Sequence, residues 1–170
     1  MSANNSKLFQ FFETELQEIY WAENALVRAI PKMIGNASSQ ELKDALVHHL
    51  GETKEHVERL DEVFSIIGED SRPRKCEAMN GLISEAWDIM DSCEKGAMMD
   101  AGIIAAGQKV EHYEIASYGT LRNYADTLGY ADAVSVLEAT LREEKNADKK
   151  LTEIAVSSVN ENAAHEIAQA

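Results

Sequence analysis

Apolar residues recur at spacings of three and four along most of this chain, the pattern of helices that bury one face. The pattern predicts four long helices and one short one, over residues of about 7–34, 39–67, 77–91, 99–128 and 131–159. It is lost over residues 160–170, which we expect to form a frayed tail. The sequence therefore predicts an all-α protein with a single domain over residues 1–170.

The lengths of the connections predict how these helices are arranged. Short connections join the first two long helices and the last two, so each pair should form an antiparallel hairpin. The segment between the hairpins, which contains the short helix, is long enough to run back along a bundle of roughly 40 Å at 1.5 Å per residue. We expect a ferritin-like four-helix bundle with one long crossover.

Charged residues interrupt the apolar stripes of all four long helices, where burial makes a carboxylate unfavourable unless it is paired or bound to a metal. The candidate metal ligands are Glu23, Glu52, His56, Glu111, Glu114, Glu144 and Asp148. Glu23 and Glu52 are 29 residues apart across one turn, and Glu114 and Glu144 are 30 apart across the other. Matched separations place these four carboxylates at one level, near the middle of the bundle.

No lysine or arginine lies in the four stripes, and so many carboxylates in a low-dielectric interior cannot all remain ionised. Two divalent cations would neutralise them. In ferritin-like di-iron proteins two helices each supply a Glu and the other two each supply Glu-x-x-His. This chain departs from that pattern, because Glu52 and His56 are four residues apart and Asp148 replaces the second histidine. His49 is a rival to His56 as the histidine ligand.

A ligand set rich in carboxylate and poor in imidazole favours iron or manganese over copper or zinc. The expected cofactor is therefore a pair of iron ions, or of manganese ions. Glu111, one turn before Glu114, is an additional carboxylate that could bind metal or instead support a ligand.

The formal net charge of −14 disfavours nucleic acids and anionic membranes as partners. The two cysteines form no C-x-x-C pair, and no segment has the pattern of a secretory signal or the length of a membrane span. We expect a cytoplasmic protein. Apolar residues off the stripes, such as Phe9, Trp21 and Ile104, favour a homodimer.

Several segments resemble the YciE/YciF family of ferritin-like bacterial stress proteins, which is related to rubrerythrin. They are Tyr20-Trp21-Ala22-Glu23, His49-Leu50-Gly51-Glu52-Thr53, the run from Cys76 to Ile83, the run from Lys109 to Leu121, and Glu143-Glu144-Lys145. The resemblance covers nearly the whole chain and implies a di-iron carboxylate protein of the stress response. The chain lacks the four-cysteine rubredoxin module of rubrerythrins, which excludes their full electron-transfer chain.

Three functions are compatible with these features. The first is a di-metal centre that reacts with O2 or peroxide, or oxidises Fe(II), as a ferroxidase or peroxidase would. The second is a non-enzymatic stress dimer that binds metal or keeps the site for structure. The third, manganese catalase-like dismutation, is less favoured because the last long helix lacks a histidine beside Glu144.

Overall fold

The computed structural model describes residues 6–167, and all regular structure in that range is helical. The helices are α1 (Lys7–Asn36), α2 (Gln40–Ile67), α3 (Glu77–Ser92), α4 (Ala97–Leu128), α5 (Ala131–Ile154) and α6 (Asn160–His165), with a π-helical turn (Ala155–Val159) between α5 and α6. The all-helical prediction is confirmed. No helix within the described range is both long and apolar enough to cross a membrane.

The four long helices pack around a shared core: α1 contacts α2 and α4, and α5 contacts the same two helices. Paired residues show that α4 and α5 run in opposite directions. Gln108 donates to Asp148 at 3.1 Å near one end, and Arg122 donates to Glu138 at 2.8 Å nearer the other. Advancing along α4 therefore means moving back along α5, which is the hairpin geometry that the short connection predicts.

The crossover carries α3, which packs against α4 and α1. Before α3, the N–H of Arg74 donates to the carbonyl of Gln17 at 3.0 Å, so this segment lies along α1. Cys76 caps α3 by accepting from the N–H of Met79. The segment between α2 and α4 thus contains a short helix, as the apolar pattern predicts.

The turn between α1 and α2 is held by a buried acid on α4. Asp100 is only 3% exposed, and its carboxylate accepts from the N–H groups of Ser38 and Ser39 at 2.6 and 2.8 Å. A carboxylate at a helix N-terminus satisfies free N–H groups and complements the helix dipole. The N-cap of α2 is Ser39, whose hydroxyl accepts from the N–H of Leu42.

The tail differs from the expected frayed segment over residues 160–170. The chain stays helical to His165, and Val159 is buried. Glu166 accepts from the N–H groups of Ala97 and Met98, at 2.5 and 3.0 Å, so it caps the N-terminus of α4. This long-range cap, which periodicity does not reveal, holds the segment in place. Residues 168–170 lie outside the described range.

Two of the apolar residues that suggested a homodimer lie in the core of the chain itself. Phe9 and Ile104 are each 2% exposed, and Trp21 is partly buried against the same core. Phe9 and Ile104 are therefore unavailable as the dimer surface that the sequence suggested. The homodimer stays a prediction without their support.

Candidate metal centre

Four glutamates and two histidines from the four long helices are buried together in the interior. They are Glu23 on α1, His49 and His56 on α2, Glu111 and Glu114 on α4, and Glu144 on α5. Each is 8% exposed or less. Burial of this many ionisable side chains is unfavourable unless a compensating charge is present.

These side chains form two groups that could each hold a metal ion. The first group is His49, Glu111, Glu114 and Glu144, and the second group is Glu23, His56 and Glu144. Within each group one ligand atom per residue lies within 4.8 Å of all the others. Glu144 belongs to both groups, so its carboxylate stands between the two candidate positions.

The hydrogen bonding of these residues fits a bound cation. Among the described residues, eight buried side-chain oxygen and nitrogen atoms have no hydrogen-bond partner, and all eight belong to the two groups. Both oxygens of Glu114 and both of Glu144 are among them. The Nδ1 atom of His56 lies 2.9 Å from Glu144 Oε1 without the alignment of a hydrogen bond. Buried polar atoms are normally satisfied, so a cluster of unsatisfied acceptors indicates a site for cations.

In the first group burial disfavours the charged forms of two carboxyl groups, those of Glu111 and Glu114. Burial raises the pKa of Glu114 well above its usual value, and the charges of Glu144, Glu23 and Glu111 raise it further. Burial likewise raises the pKa of Glu111, with Glu144 as the next cause. His49 Nε2 lies 3.3 Å from Glu111 Oε1 and 3.9 Å from Glu144 Oε2.

In the second group a histidine supplies the compensating charge. Burial lowers the pKa of His56, but the close carboxylates of Glu144 and Glu23 outweigh this and raise the pKa to about 11. The pKa of Glu144 is lowered in turn, because His56 and the charge of His49 outweigh the effect of burial. Burial raises the pKa of Glu23, although Tyr118 donates its hydroxyl proton to Glu23 Oε1 at 2.5 Å.

A second layer of residues orients His56. Its Nε2 atom lies 2.9 Å from Glu143 Oε2, and both carboxylate oxygens of Glu143 accept from the guanidinium of Arg59. Arg59 also donates to Glu55 at 3.3 Å. A carboxylate that holds one ring nitrogen of a histidine leaves the other free to bind a metal, and fixes the orientation of the ring. Here Glu143 holds Nε2 and Nδ1 faces the second group.

The structure brings together five of the seven ligands that the sequence suggests. Glu52 and Asp148 lie at the edge, with side chains 21% and 24% exposed. Glu52 Oε1 is 3.3 Å from His48 Nε2, and Glu52 Oε2 is 3.5 Å from His49 Nδ1. Asp148 accepts from Gln108 and lies 3.3 Å from His112 Nε2. Neither is a member of the two groups.

His49 is the ligand candidate that the sequence pattern underweights. His49, Thr53 and His56 follow each other at spacings of four and three, and all three are buried. They therefore define the inward stripe of α2, and Glu52 lies on its flank. That spacing indicates that both histidines face inward, and one belongs to each group. Glu143 and Arg59 carry no such signal, because both lie off the stripes.

Comparison with known proteins identifies relatives along most of the chain. The model of a family described as a domain of unknown function (DUF892) matches residues 7–164. Protein YciF of Escherichia coli strain K12 is 47% identical over 149 residues, which are 87% of this chain and 90% of that protein.

Solved structures give the same result. The crystal structure of the E. coli stress protein YciF matches with a TM-score of 0.87 and 44% identity, covering 91% of this chain and 98% of that one. YcfI from Rhodopseudomonas palustris, provisionally described as a structural protein, matches with a TM-score of 0.83 and 40% identity, covering 89% and 97%. This chain belongs to the DUF892 family, the family of YciF.

Proposed function

We propose that this protein is a ferritin-like four-helix bundle that holds two metal ions at the paired groups, as a di-iron carboxylate protein of the stress response. The observation that carries the proposal is the position of Glu144 in both groups. A carboxylate common to two adjacent cation positions is the arrangement of di-metal centres, in which two ions act on one small substrate. The similarity to a stress protein supports the physiological setting.

The ligand set favours iron, with manganese as the alternative. The two groups together offer four carboxylates and two imidazoles, with no thiolate. His49 with Glu111 and Glu114 would hold one ion, His56 with Glu23 would hold the other, and Glu144 would contact both. Glu52 and Asp148 stay ligands predicted from the sequence, and as ligands they would have to leave the histidines that they now contact.

A pair of iron ions would supply electron transfer to O2 or peroxide. Residues of the chain would orient the ligands for this reaction. Glu143 orients His56, and Tyr118 orients Glu23 through its hydroxyl group. The apolar core excludes bulk water from Glu23 and Glu114, which strengthens every electrostatic interaction there. We propose that the reaction oxidises Fe(II) or removes peroxide during stress.

A non-enzymatic role is the second candidate, because the similar protein YcfI is provisionally described as structural. In that case the metal would only stabilise the fold, by binding the folded state in preference to the unfolded one. Manganese catalase-like dismutation ranks lower, because α5 offers Glu144 and Asp148 but no histidine between them or beside them.

Metal analysis of the chelator-treated and anaerobically reloaded chain tests the proposal. We expect about two Fe(II) ions per chain, as in di-iron carboxylate bundles. Glu144→Gln should reduce uptake at both positions, whereas Glu114→Gln should impair one. Glu153→Gln, which changes an exposed carboxylate on the same helix, is the matched control.

Oxidation of the loaded iron by O2 and by peroxide is then followed separately. Turnover that is lost in Glu114→Gln and retained in Glu153→Gln supports the enzymatic function. Two bound ions that raise the melting temperature but do not turn over would support the structural role. A folded chain that takes up no Fe(II) or Mn(II) would overturn both.

A further inference from the structure

A cavity of about 460 Å³ lies between α2 and α5 and leads to the first group. Its inner wall includes His49 and Glu111, and its outer wall includes Glu41, Asp44 and Glu52. His49 and Glu111 are at least nine-tenths buried. Each has a buried polar atom without a hydrogen-bond partner, Nδ1 of His49 and Oε2 of Glu111. The cavity therefore joins the surface to two unsatisfied candidate ligands.

Four side chains that can bind cations follow one another along this cavity. His48 is 78% exposed at its side chain, and its Nε2 atom lies 3.3 Å from Glu52 Oε1. Glu52 Oε2 lies 3.5 Å from His49 Nδ1, and His49 Nε2 lies 3.3 Å from Glu111 Oε1. Histidine and carboxylate alternate from solvent to the buried group, with every step short enough for one cation to contact both neighbours.

The charge of the mouth also favours cations. Glu41, Asp44 and Glu52 face one lysine, Lys150, which donates to Glu41 at 2.7 Å. After this pairing Asp44 and Glu52 remain to attract a cation. A cleft lined by one sign of charge concentrates ions of the opposite sign and raises their association rate. At the second group, Glu143 and Arg59 instead cover His56.

The geometry points to this cavity as the access path for divalent cations, with His48 and Glu52 as a capture site and Glu52 as the residue that passes the ion to His49 and Glu111. The inference rests on the proposed function, since it requires that the first group binds a metal. It assigns Glu52 a role in the rate of loading, which differs from the role of a permanent ligand.

A permanent ligand and a path residue have different kinetic signatures. Removing a ligand weakens the equilibrium affinity. Removing a residue that acts only along the path slows association and dissociation by the same factor, because the bound and free states are unchanged. The dissociation constant then stays the same. Stopped-flow measurement of both rates therefore separates the two roles without any measurement of enzyme activity.

The experiment uses the full chain, freed of metal, with Co(II) as a spectroscopic probe. We expect Glu52→Gln to lower the association rate roughly tenfold, by loss of electrostatic capture, and to change the dissociation constant by a smaller factor. His48→Gln should lower it less. Glu62→Gln, which removes an exposed carboxylate from the same helix away from the cavity, is the control and should keep the original rate.

A steric variant tests the path independently of charge. Ala147 lines the cavity from α5 and is partly exposed, so Ala147→Phe should obstruct the cavity without entering the core. We expect slower association and dissociation in this variant, with its fold checked by circular dichroism and thermal melting. Glu52→Gln and Ala147→Phe variants that both load at the rate of Glu62→Gln would overturn the path.

Two further outcomes are distinguishable. If Glu52→Gln weakens the equilibrium binding of Co(II) and leaves the association rate unchanged, then Glu52 is a ligand and the assigned path role is wrong. If the unmodified chain binds neither Co(II) nor Fe(II), then the proposed function itself fails, and the path fails with it.

Discussion

The two groups share Glu144 but differ in how the surrounding chain supports them. In the second group, Tyr118 donates to Glu23. Glu143 contacts His56 Nε2 and accepts in turn from Arg59. In the first group, neither oxygen of Glu114 has a hydrogen-bond partner. The first group also borders the cavity between α2 and α5.

This difference shows two solutions to the burial of carboxylates. The second group carries its own positive charge, because His56 stays protonated over a wide pH range in the absence of metal. In the first group, burial and the neighbouring carboxylates instead raise the pKa values of Glu111 and Glu114, which disfavours their charged forms until a cation arrives. We infer that the second group is largely preorganised, whereas the first depends on the cation for its charge balance.

The largest expected effect is the loss of stability on replacing Glu144, the carboxylate that both groups share, compared with replacing Glu114. In the metal-free protein, Glu144→Gln removes the carboxylate nearest to His56 Nδ1 and leaves the His56 cation with Glu23 and Glu143, and breaking a buried pair costs roughly 3–5 kcal/mol. Glu114→Gln should be neutral or stabilising, since it removes a carboxyl whose charged form burial disfavours. Urea unfolding of chelator-treated protein measures both. Glu153→Gln should change stability by less than about 0.5 kcal/mol, and equal losses in the Glu144 and Glu114 variants would contradict the contrast.

The effect of pH should distinguish the metal-free protein from the loaded one. The raised pKa values of Glu23, Glu111 and Glu114 mean that the folded chain holds protons that the unfolded chain releases near 4.5. His56 acts in the same direction, between its unfolded value of 6.5 and about 11. The folded state therefore binds more protons, and metal-free stability should fall as pH rises, by up to about 1.4 kcal/mol per pH unit for each such proton.

Bound metal should reverse this dependence of stability on pH. Cations require ionised carboxylates and a neutral imidazole, so their binding releases protons and strengthens as pH rises. Melting temperatures of chelated and loaded protein between about pH 5 and pH 8 give both slopes. The lowered pKa values of Glu143 and Glu144 affect stability only below about 4.5 and do not alter the sign in this window. A metal-free protein that becomes more stable with rising pH would contradict the assignment.

Helical periodicity predicted the helices and the buried carboxylates, because both depend on which residues face inward. Glu23, Glu111, Glu114 and Glu144 interrupt apolar stripes, and the structure buries all four. On α2 the sequence predicts Glu52 as an inward ligand, whereas the structure places Thr53 in the buried stripe: Thr53 is fully buried and Glu52 is not.

Residues that act through other residues left no signal in the sequence. Glu143 adjoins Glu144 but points about 100° away around the helix, and Arg59 lies on the flank of α2. Their pairing depends on the approach of α2 to α5, which no spacing along one helix can specify. The same holds for Asp100 and Glu166, which cap helices distant in sequence. Long-range polar contacts of this kind require the tertiary structure.

The smallest of these effects should come from the residue that braces His56. Glu143→Gln keeps the size of the side chain but weakens its hold on His56 Nε2 and on Arg59. Loss of such a partner typically lowers metal affinity by about 10–100-fold. We expect this loss at the second group alone, with the first group unchanged.

Glu138→Gln is a matched control, since it removes another arginine partner on the same helix. Glu138 accepts from Arg122 at 2.8 Å, at a half-exposed position outside both groups. Exposed pairs contribute about 0–1 kcal/mol, so this variant should keep both affinities. Chelator competition with Co(II) resolves the two dissociation constants of each variant. If Glu143→Gln weakened metal binding equally at the two groups, the expected contrast would be wrong. The centre would then respond as one unit, because Glu144, which belongs to both groups, would transmit the change at His56 to the first group.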